Sequence, residues 1–279
     1  MTHLFTILFL MLACVAQGAG LGPYNPAQHS VNGFMPTQVP GLQFWLDASR
    51  ITATNGASIS SAPEFGPNKL IVTNSGGSKT PVMAAINGRQ AVQFDGTDDY
   101  FATSQSISFQ SRQMSVFHVV ESTKRSFQMV CEHGTNAGTV YPAFRVDIYD
   151  DFTSPTEYML AQLTVRNTNG YNIAMVKTNS ALQDRFVFGS TFDASLIGTN
   201  EGKAYINNQN LTYYRSDFKS ETDDNLSTSR TLYIGSRNSG QYFLSGKLAE
   251  LIMFTNKVSD SQLSQINRYL GTKYGIVVK

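Results

Sequence analysis

The segment from Thr231 to Ile276 constrains the fold of this chain most strongly, because its hydrophobic period changes partway along. Its first part, KLAELIMF, carries apolar residues on both faces of an alternating pattern, which is typical of a buried central strand. The alternation predicts that one face holds Leu248, Glu250, Ile252 and Phe254. The second part has helical spacing, with apolar residues at Leu263, Ile266 and Leu270. A central strand followed by a short helix is therefore expected.

The ends of this helix are marked by the sequence. Ser259 is placed to cap the first free amides, and Gln262 occupies the reciprocal position of a capping box. Gly275 is available to end the helix in a left-handed conformation.

The strand GKLAELIMF, followed by a polar turn and a helix ending in RYLGTKYGI, resembles the closing segment of the LamG-like branch of the concanavalin A-like lectin/glucanase family. Further matching pieces occur in the same order, namely GLQFWLDAS at 41–49, INGRQAVQFDGTDDYF at 86–101, KAYINNQ at 203–209 and LYIGS at 232–236. The resemblance runs from Pro40 to the C-terminus and implies a two-sheet antiparallel jelly roll. Within the family such a domain is usually an adhesive or sugar-binding module and only sometimes an enzyme. SSAPEFGPNKL stands where the family carries a tryptophan and an acidic SGNG-like turn, so no ligand contact is carried over from that turn.

Composition favours a single all-β domain at 41–279. Only 15% of the residues are charged, 11% are aromatic and 22 are glycines, which suits short strands joined by polar turns. The formal net charge is +1 with no basic block, so the electrostatic pattern of a nucleic-acid-binding protein is missing.

The N-terminus predicts export. Leu4 to Ala16 form an apolar run suited to a signal peptide, and the small residues after it place cleavage after Gly18. An uncleaved anchor or an arm buried in an assembly is the alternative, since no Lys or Arg precedes the run. Residues 19–40 are rich in Pro and Gly and predict an extended lead-in. After cleavage Cys131 would be the only cysteine, which excludes an intrachain disulfide and favours a small buried side chain.

Candidate ligand residues lie in two predicted loops. Asp98 and Asp99, together with Asp95, could supply part of a calcium shell, although Asp-Gly turns use such carboxylates to accept backbone amides without any metal. The family resemblance implies loop aromatics and amides as glycan contacts. On that basis the candidate ligand-binding residues are Tyr100, Asn238 and Tyr242.

Other polar and aromatic residues are predicted to be structural. Trp45 points away from Phe44 and is expected in a core rather than as a sugar platform. Asp47 is expected to bond a turn backbone. His118 lies between two valines on one strand face, which favours a hydrogen-bonded core or half-buried histidine over a ligand.

The pattern required for glycoside hydrolysis is missing. Hydrolases of this architecture place two carboxylates on one strand face, as Glu-x-Asp-x-Glu, and no such alternation occurs here. Glu132 and His133 form the only acid-next-to-histidine pair, and an acidic cluster follows at Asp147, Asp150 and Asp151. The prediction is therefore a non-catalytic protein.

Three hypotheses follow. The first is a secreted or surface-displayed module that binds a glycan or surface glycoprotein, assisted by calcium. The second is a structural or decoration component of a virion or appendage, with the N-terminal arm docked on a neighbouring subunit. The third is a degenerate polysaccharide-acting enzyme that would depend on Glu132 or Asp147.

Overall fold

The computed structural model of the protein describes residues 30–109, 111–122, 126–134, 143–150, 159–167, 170–177, 185–196, 200–210, 213–217 and 229–279. The predicted all-β fold with a C-terminal helix is confirmed. The strands are β1 (Leu42–Asp47), β2 (Ser61–Pro63), β3 (Ile71–Thr73), β4 (Val82–Ile86), β5 (Arg89–Asp95), β6 (Phe101–Thr103), β7 (Gln113–Ser122), β8 (Gln128–His133), β9 (Phe144–Asp150), β10 (Met159–Asn167), β11 (Gly170–Lys177), β12 (Arg185–Asp193), β13 (Gly202–Ile206), β14 (Gln209–Asn210), β15 (Tyr213–Asp217), β16 (Leu232–Ile234) and β17 (Ser245–Phe254). The helix is α1 (Asp260–Tyr274).

The strands form two antiparallel sheets of a jelly roll. The eight-stranded sheet has the order β14-β13-β12-β7-β17-β5-β4, with β1 also paired to β17. The nine-stranded sheet has the order β15-β11-β10-β9-β8-β16-β6-β3-β2. Several neighbours are consecutive in the chain, such as β9 and β10 or β12 and β13, whereas β17 pairs with β5 and β7 from distant parts of the chain. Apolar side chains from the inner faces of both sheets form the main core.

The strand β17 lies at the centre of the eight-stranded sheet and pairs with β7, β5 and β1. Its pairing with β7 shifts register between Leu248 and Glu250. Because a bulge of this kind moves the following side chains to the other face, Leu248 packs in the inter-sheet core, whereas Ile252 and Phe254 pack beneath the helix. The sequence prediction that put Leu248 on the same face as Ile252 and Phe254 was wrong for this reason.

The helix α1 follows its predicted boundaries. Ser259 Oγ accepts a hydrogen bond from Gln262 N at 3.2 Å, and the Gln262 side chain accepts one from Ser259 N at 2.9 Å. Gly275 ends the helix with φ of 63°, in the left-handed region. The helix packs on the outer face of the eight-stranded sheet over a second apolar cluster. No helix in the described part of the chain has the length and apolar character needed to span a bilayer.

A buried polar network fixes α1 on this sheet. This network, called here the helix cluster, consists of Trp45, Asp47, Glu250, Tyr269, Lys273 and Tyr274. Lys273 Nζ donates at 2.7 Å both to Asp47 Oδ2 and to Glu250 Oε2. Glu250 Oε1 also accepts from Trp45 Nε1 at 2.7 Å and from Tyr269 Oη at 2.9 Å. Strand β1, strand β17 and the helix are thereby joined through one carboxylate.

The side chains predicted to be structural occupy the core. Trp45 is fully buried on the opposite face of β1 from Phe44, as expected. Asp47 Oδ1 accepts from the backbone amide of Ser49 at 3.0 Å, as predicted, and its second oxygen binds Lys273. His118 is fully buried and stacks on Phe188 with a centroid distance of 5.0 Å.

The N-terminal part of the described chain packs against the helix. Phe34 contacts the ring of Tyr269 edge-on at a centroid distance of 5.7 Å, and Val39 is buried. A short 3₁₀ turn spans Pro36–Gln38. The predicted leader at 1–18 and the first part of the lead-in lie outside the described residues.

Candidate functional site

The outer face of the nine-stranded sheet carries a group of buried polar side chains. In β9, Phe144, Val146 and Ile148 belong to the inter-sheet core. Because successive side chains of a strand alternate between faces, Arg145 and Asp147 lie on the outer face. The same alternation in β10 sends Ala161, Leu163 and Val165 inward and leaves Gln162 and Thr164 outside.

Strand register brings these side chains together. Glu132 in β8 pairs with Arg145 in β9, and Arg145 pairs with Thr164 in β10. Two residues further along the same pair of strands, Asp147 pairs with Gln162. Arg237, from the segment between β16 and β17, reaches the same place because its Nε lies 3.2 Å from Glu132 Oε1. We call this group the arginine cluster, and its members are Glu132, Arg145, Asp147, Gln162, Thr164 and Arg237.

Two ion pairs hold the arginine cluster. Arg145 Nε lies 2.9 Å from Asp147 Oδ2. Arg237 Nε makes the corresponding contact with Glu132 Oε1. Both carboxylates are fully buried, while the arginine side chains keep 16% and 11% of their surface exposed. The carboxylates therefore lie at the bottom of the cluster and the guanidinium groups closer to solvent.

Burial dominates the electrostatics of the two carboxyl groups. It raises the pKa of Glu132 to about 7, although Arg237 and Arg145 favour the charged form. Burial likewise raises the pKa of Asp147 to about 7, against the lowering effect of the charges on Arg145 and Arg237. Both groups therefore titrate close to neutral pH, where each change of protonation alters the net charge beside the arginines.

The arginine cluster has hydrogen-bonding capacity that the described residues do not use. Buried polar atoms in folded proteins are nearly always hydrogen-bonded. Here the ion pairs are charge contacts without hydrogen-bond alignment. No described residue forms an aligned hydrogen bond with the carboxylate oxygens of Glu132 and Asp147, Gln162 Oε1, Thr164 Oγ1, or the Nε atoms of Arg145 and Arg237. Such a concentration marks a place where further polar groups can be bound.

A pocket of about 190 Å³ lies beside this cluster. It is lined by Arg237, Asn238, Gly240 and Gln241, so it includes one of the predicted ligand residues. Backbone hydrogen bonds close the loop, since Arg237 N donates to Gln241 O at 2.8 Å and Gly240 N donates to Arg237 O at 3.0 Å. Asn238 has a φ of 48° and Ser239 a φ of 55°, a strained conformation that is held by the surrounding contacts.

Aromatic rings flank the pocket. Tyr242, another predicted ligand residue, is 44% exposed, and its ring contacts Phe127 edge-on at a centroid distance of 4.8 Å. The guanidinium carbon of Arg237 lies 5.6 Å from the Tyr242 ring centroid, and that of Arg145 lies 5.4 Å from the Phe127 ring centroid. Met129 N donates to Tyr242 O at 2.8 Å and so ties the loop to β8. An exposed ring and a guanidinium group are thus presented side by side.

The third predicted ligand residue, Tyr100, does not line this pocket. Its side chain is nine-tenths buried. Burial is the main cause that raises the pKa of Tyr233, and Tyr100 contributes to the same increase. Tyr233 pairs with Glu132 on the neighbouring strand. Tyr100 therefore lies near Tyr233 and is not among the residues that line the pocket.

The predicted metal ligands Asp98 and Asp99 lie in a turn with Asp95. One oxygen from each of the three carboxylates lies within 4.8 Å of the others. Asp99 Oδ2 accepts from Asp95 N at 2.9 Å, and Asp98 Oδ2 accepts from Ser78 Oγ at 2.8 Å. Burial raises the pKa of Asp99 to about 6, with a further contribution from Asp95 and Asp98. Three converging carboxylates fit a hard cation such as calcium, and they also make the turn contacts expected without one.

The structure separates Glu132 from His133. Glu132 lies on the outer face, whereas His133 stacks on Phe144 in the core and its Nε2 lies 2.8 Å from Ile107 O. Burial lowers the pKa of His133 to about 4. These two residues therefore do not form an acid/base pair. Of the predicted acidic cluster, Asp147 joins the arginine cluster, and Asp151 lies outside the described residues.

Sequence reasoning missed the arginines. The usable signal was the alternation in FRVDIYD, which places Arg145 and Asp147 on one face opposite three apolar residues. Sequence reasoning grouped Asp147 with Asp150 and Asp151 because they are close in the chain, and so it did not associate Asp147 with Arg145. No local pattern indicates Arg237, because only the path of the loop between β16 and β17 brings it to Glu132.

Comparison with solved structures finds distant likenesses to this chain. The SAP-like pentraxin of Limulus polyphemus is 13% identical with a TM-score of 0.47, over 63% of this chain and 80% of that chain. The CBM40 of the Ruminococcus gnavus IT-sialidase, bound to alpha2,3 sialyllactose, is 14% identical with a TM-score of 0.42, over 57% of this chain and 84% of that chain. The sialidase of Trypanosoma rangeli, in complex with sialic acid, is 10% identical with a TM-score of 0.51, over 85% of this chain and 34% of that chain. At such low identity the likeness concerns the fold alone, and this chain spans about a third of the length of that sialidase.

The class defined by fold is thus a two-sheet antiparallel jelly roll. No profile of a known protein family matches the chain, and no curated protein matches it. The LamG-like assignment therefore stays a prediction from the motifs. The ligand has to be inferred from the side chains themselves.

Proposed function

We propose that this protein is an exported or surface-displayed binding module that recognises carbohydrate through the outer face of the nine-stranded sheet. The observation that carries the proposal is the pocket at 237–241, where the predicted residue Asn238 lies beside Arg237 and the exposed ring of Tyr242. Sugar-binding sites combine an aromatic surface for the apolar face of a ring with a few fixed hydrogen-bonding groups. Both elements occur together here.

The rigidity of the loop supports binding. Its internal backbone hydrogen bonds and its anchor on Met129 hold the pocket in shape before a ligand arrives. A pre-formed site loses less conformational entropy on binding, which matters for a small polar ligand with little apolar surface. The calcium-assisted form of the proposal adds the turn at Asp95, Asp98 and Asp99.

A glycan array probed with the purified protein, with calcium and with chelator, tests the proposal. We expect selective binding that Tyr242→Ala weakens, while Val277→Ala, which truncates an exposed side chain after the end of α1 on the other sheet, leaves it unchanged. Absence of binding to every glycan under both conditions would contradict the proposal and favour the alternative of a component of a larger assembly.

A second candidate function rests on the two carboxyl groups of the arginine cluster. Glu132 and Asp147 occupy neighbouring strands and both have a pKa of about 7, as a general acid in a glycosidase requires. Against catalysis, both side chains are fully buried, so a substrate could not touch them without moving the groups above. Release of reducing ends from a polysaccharide panel, abolished by Glu132→Gln and by Asp147→Asn, would favour the enzyme.

A further inference from the structure

We infer that the pocket beside Arg237 binds the anionic group of an acidic sugar, carboxylated or sulfated, while Tyr242 contacts the adjoining sugar ring. This inference rests on the proposed carbohydrate-binding function and specifies the class of ligand.

The position of Arg237 is the first reason. Its Nε is buried and lies 3.2 Å from Glu132 Oε1, and Arg237 is one of the residues that line the pocket. Among the described residues, no acceptor takes a hydrogen bond from its Nη atoms. Because Glu132 lies next to the Nε edge of the planar guanidinium group, the Nη edge is the one left to donate to a ligand. A guanidinium edge matches the paired oxygens of a carboxylate or sulfate.

The charge balance of the cluster is the second reason. Arg145 and Arg237 each bring a positive charge to the cluster. Their partners Glu132 and Asp147 are fully buried, where the charged form of a carboxyl is disfavoured. Whenever either carboxyl takes up a proton, a positive charge next to the pocket has no counter-ion among the described residues. An anionic ligand would supply that counter-ion.

The arrangement of ring and charge is the third reason. The Arg237 guanidinium carbon lies 5.6 Å from the Tyr242 ring centroid, and Tyr242 is 44% exposed. In an acidic sugar the charged group is bonded to the ring or to a ring hydroxyl. A site for such a sugar therefore needs a stacking surface and a cation next to each other. A neutral sugar could use the ring of Tyr242 but would leave the Arg237 donors unpaired. A site built to hydrogen-bond one chemical group discriminates against ligands that lack this group.

Binding measured by calorimetry on pairs of an acidic ligand and its neutral counterpart tests the inference. Oligogalacturonate is compared with its methyl ester, sialyllactose with lactose, and a carrageenan oligosaccharide with its desulfated form. We expect at least one acidic member to bind about tenfold or more tightly than its neutral partner. Arg237→Lys should remove most of that preference because it loses the planar fork, and Arg237→Gln should remove all of it.

The controls separate failure of the inference from failure of the proposed function. Arg89→Lys alters an exposed arginine at the start of β5, on the other sheet, and should leave binding unchanged. Chemical denaturation of each variant verifies that it is folded. Equal binding of acidic and neutral partners, or unchanged preference in Arg237→Gln, overturns the inference while leaving carbohydrate binding in place. No binding to any member of any pair overturns both.

Discussion

The helix cluster and the arginine cluster have similar compositions but opposite states of hydrogen bonding. Each contains two buried carboxylates and is located on the outer face of a sheet. In the helix cluster Glu250 accepts four hydrogen bonds, from Trp45, Tyr269, Lys273 and Tyr274. In the arginine cluster no described residue forms an aligned hydrogen bond with the carboxylate oxygens of Glu132 or Asp147.

This difference separates a structural network from the site that we propose for binding. A fully satisfied buried network fixes one arrangement of the chain, because every alternative would leave charges unpaired. A network with unused donors and acceptors next to a pocket retains capacity for other polar groups. We therefore expect substitutions in the helix cluster to affect stability and substitutions around the arginine cluster to affect pH response and binding.

Replacing Lys273 with Met should have the largest effect. Removing the cation leaves Asp47 and Glu250 as two buried carboxylates without a charged partner, which we expect to lower the free energy of unfolding by ~3–5 kcal/mol. Denaturation in urea measures the change. Lys79→Met, which removes an exposed lysine, is the matched control and should change stability very little. A loss below about 1 kcal/mol for Lys273→Met would mean that the helix cluster is not the anchor of α1.

The pH dependence of stability should come mainly from the arginine cluster. Glu132 and Asp147 have pKa values of about 7 in the folded protein, above their ordinary values of 4.5 and 3.8. Their contribution to the free energy of unfolding is complete at pH values below the pKa values of the unfolded state and is lost as the pH rises through 7. Lowering the pH from about 8 to about 6.5 should therefore raise the free energy of unfolding by on the order of 1 kcal/mol. The charged groups facing them are Arg145 and Arg237.

Urea denaturation at both pH values measures this gain. The double variant Glu132→Gln/Asp147→Asn should lose most of it, and Glu132→Gln alone should lose about half. Measurements stay above pH 6.5 because the lowered pKa values of His118 and His133 act in the opposite direction at lower pH. An unchanged pH response in the double variant would show that the two carboxyls remain ionised throughout.

Truncating Tyr242 should affect binding alone. Tyr242→Ala removes the exposed ring, and we expect affinity for the best glycan on the array to fall about tenfold with no loss of stability. Tyr242→Phe keeps the ring and should bind nearly as well as the unaltered protein. If Tyr242→Phe is as weak as Tyr242→Ala, the hydroxyl and not the ring surface makes the contact.

Calcium should produce the smallest effect. A cation at Asp95, Asp98 and Asp99 would offset their mutual repulsion, so adding calcium should raise the melting temperature by a few degrees. Asp98→Asn, which keeps the size of the side chain, should reduce the shift. An identical melting temperature with calcium and with chelator would mean that these carboxylates make turn contacts only and do not bind calcium.

Sequence periodicity and short-range capping rules determined much of the fold. The change of period at 247–270, the capping box at Ser259 and Gln262, and the opposite directions of Phe44 and Trp45 are local properties, and the structure agrees with them. The bulge at Leu248 was not predictable, because it depends on how β17 pairs with β7 rather than on β17 itself.

The site was decided only by tertiary structure. The sequence identified Asn238 and Tyr242 as ligand candidates, and it identified Glu132 and Asp147 as separate acids. Strand pairing placed Glu132 beside Arg145, and a long loop brought Arg237 to the same carboxylate. Local sequence specifies which face of a strand a side chain occupies, but the register between strands decides which side chains meet, and Arg237 comes from a distant segment. The charge balance of the arginine cluster, and with it the class of ligand we propose, exists only once those segments are paired.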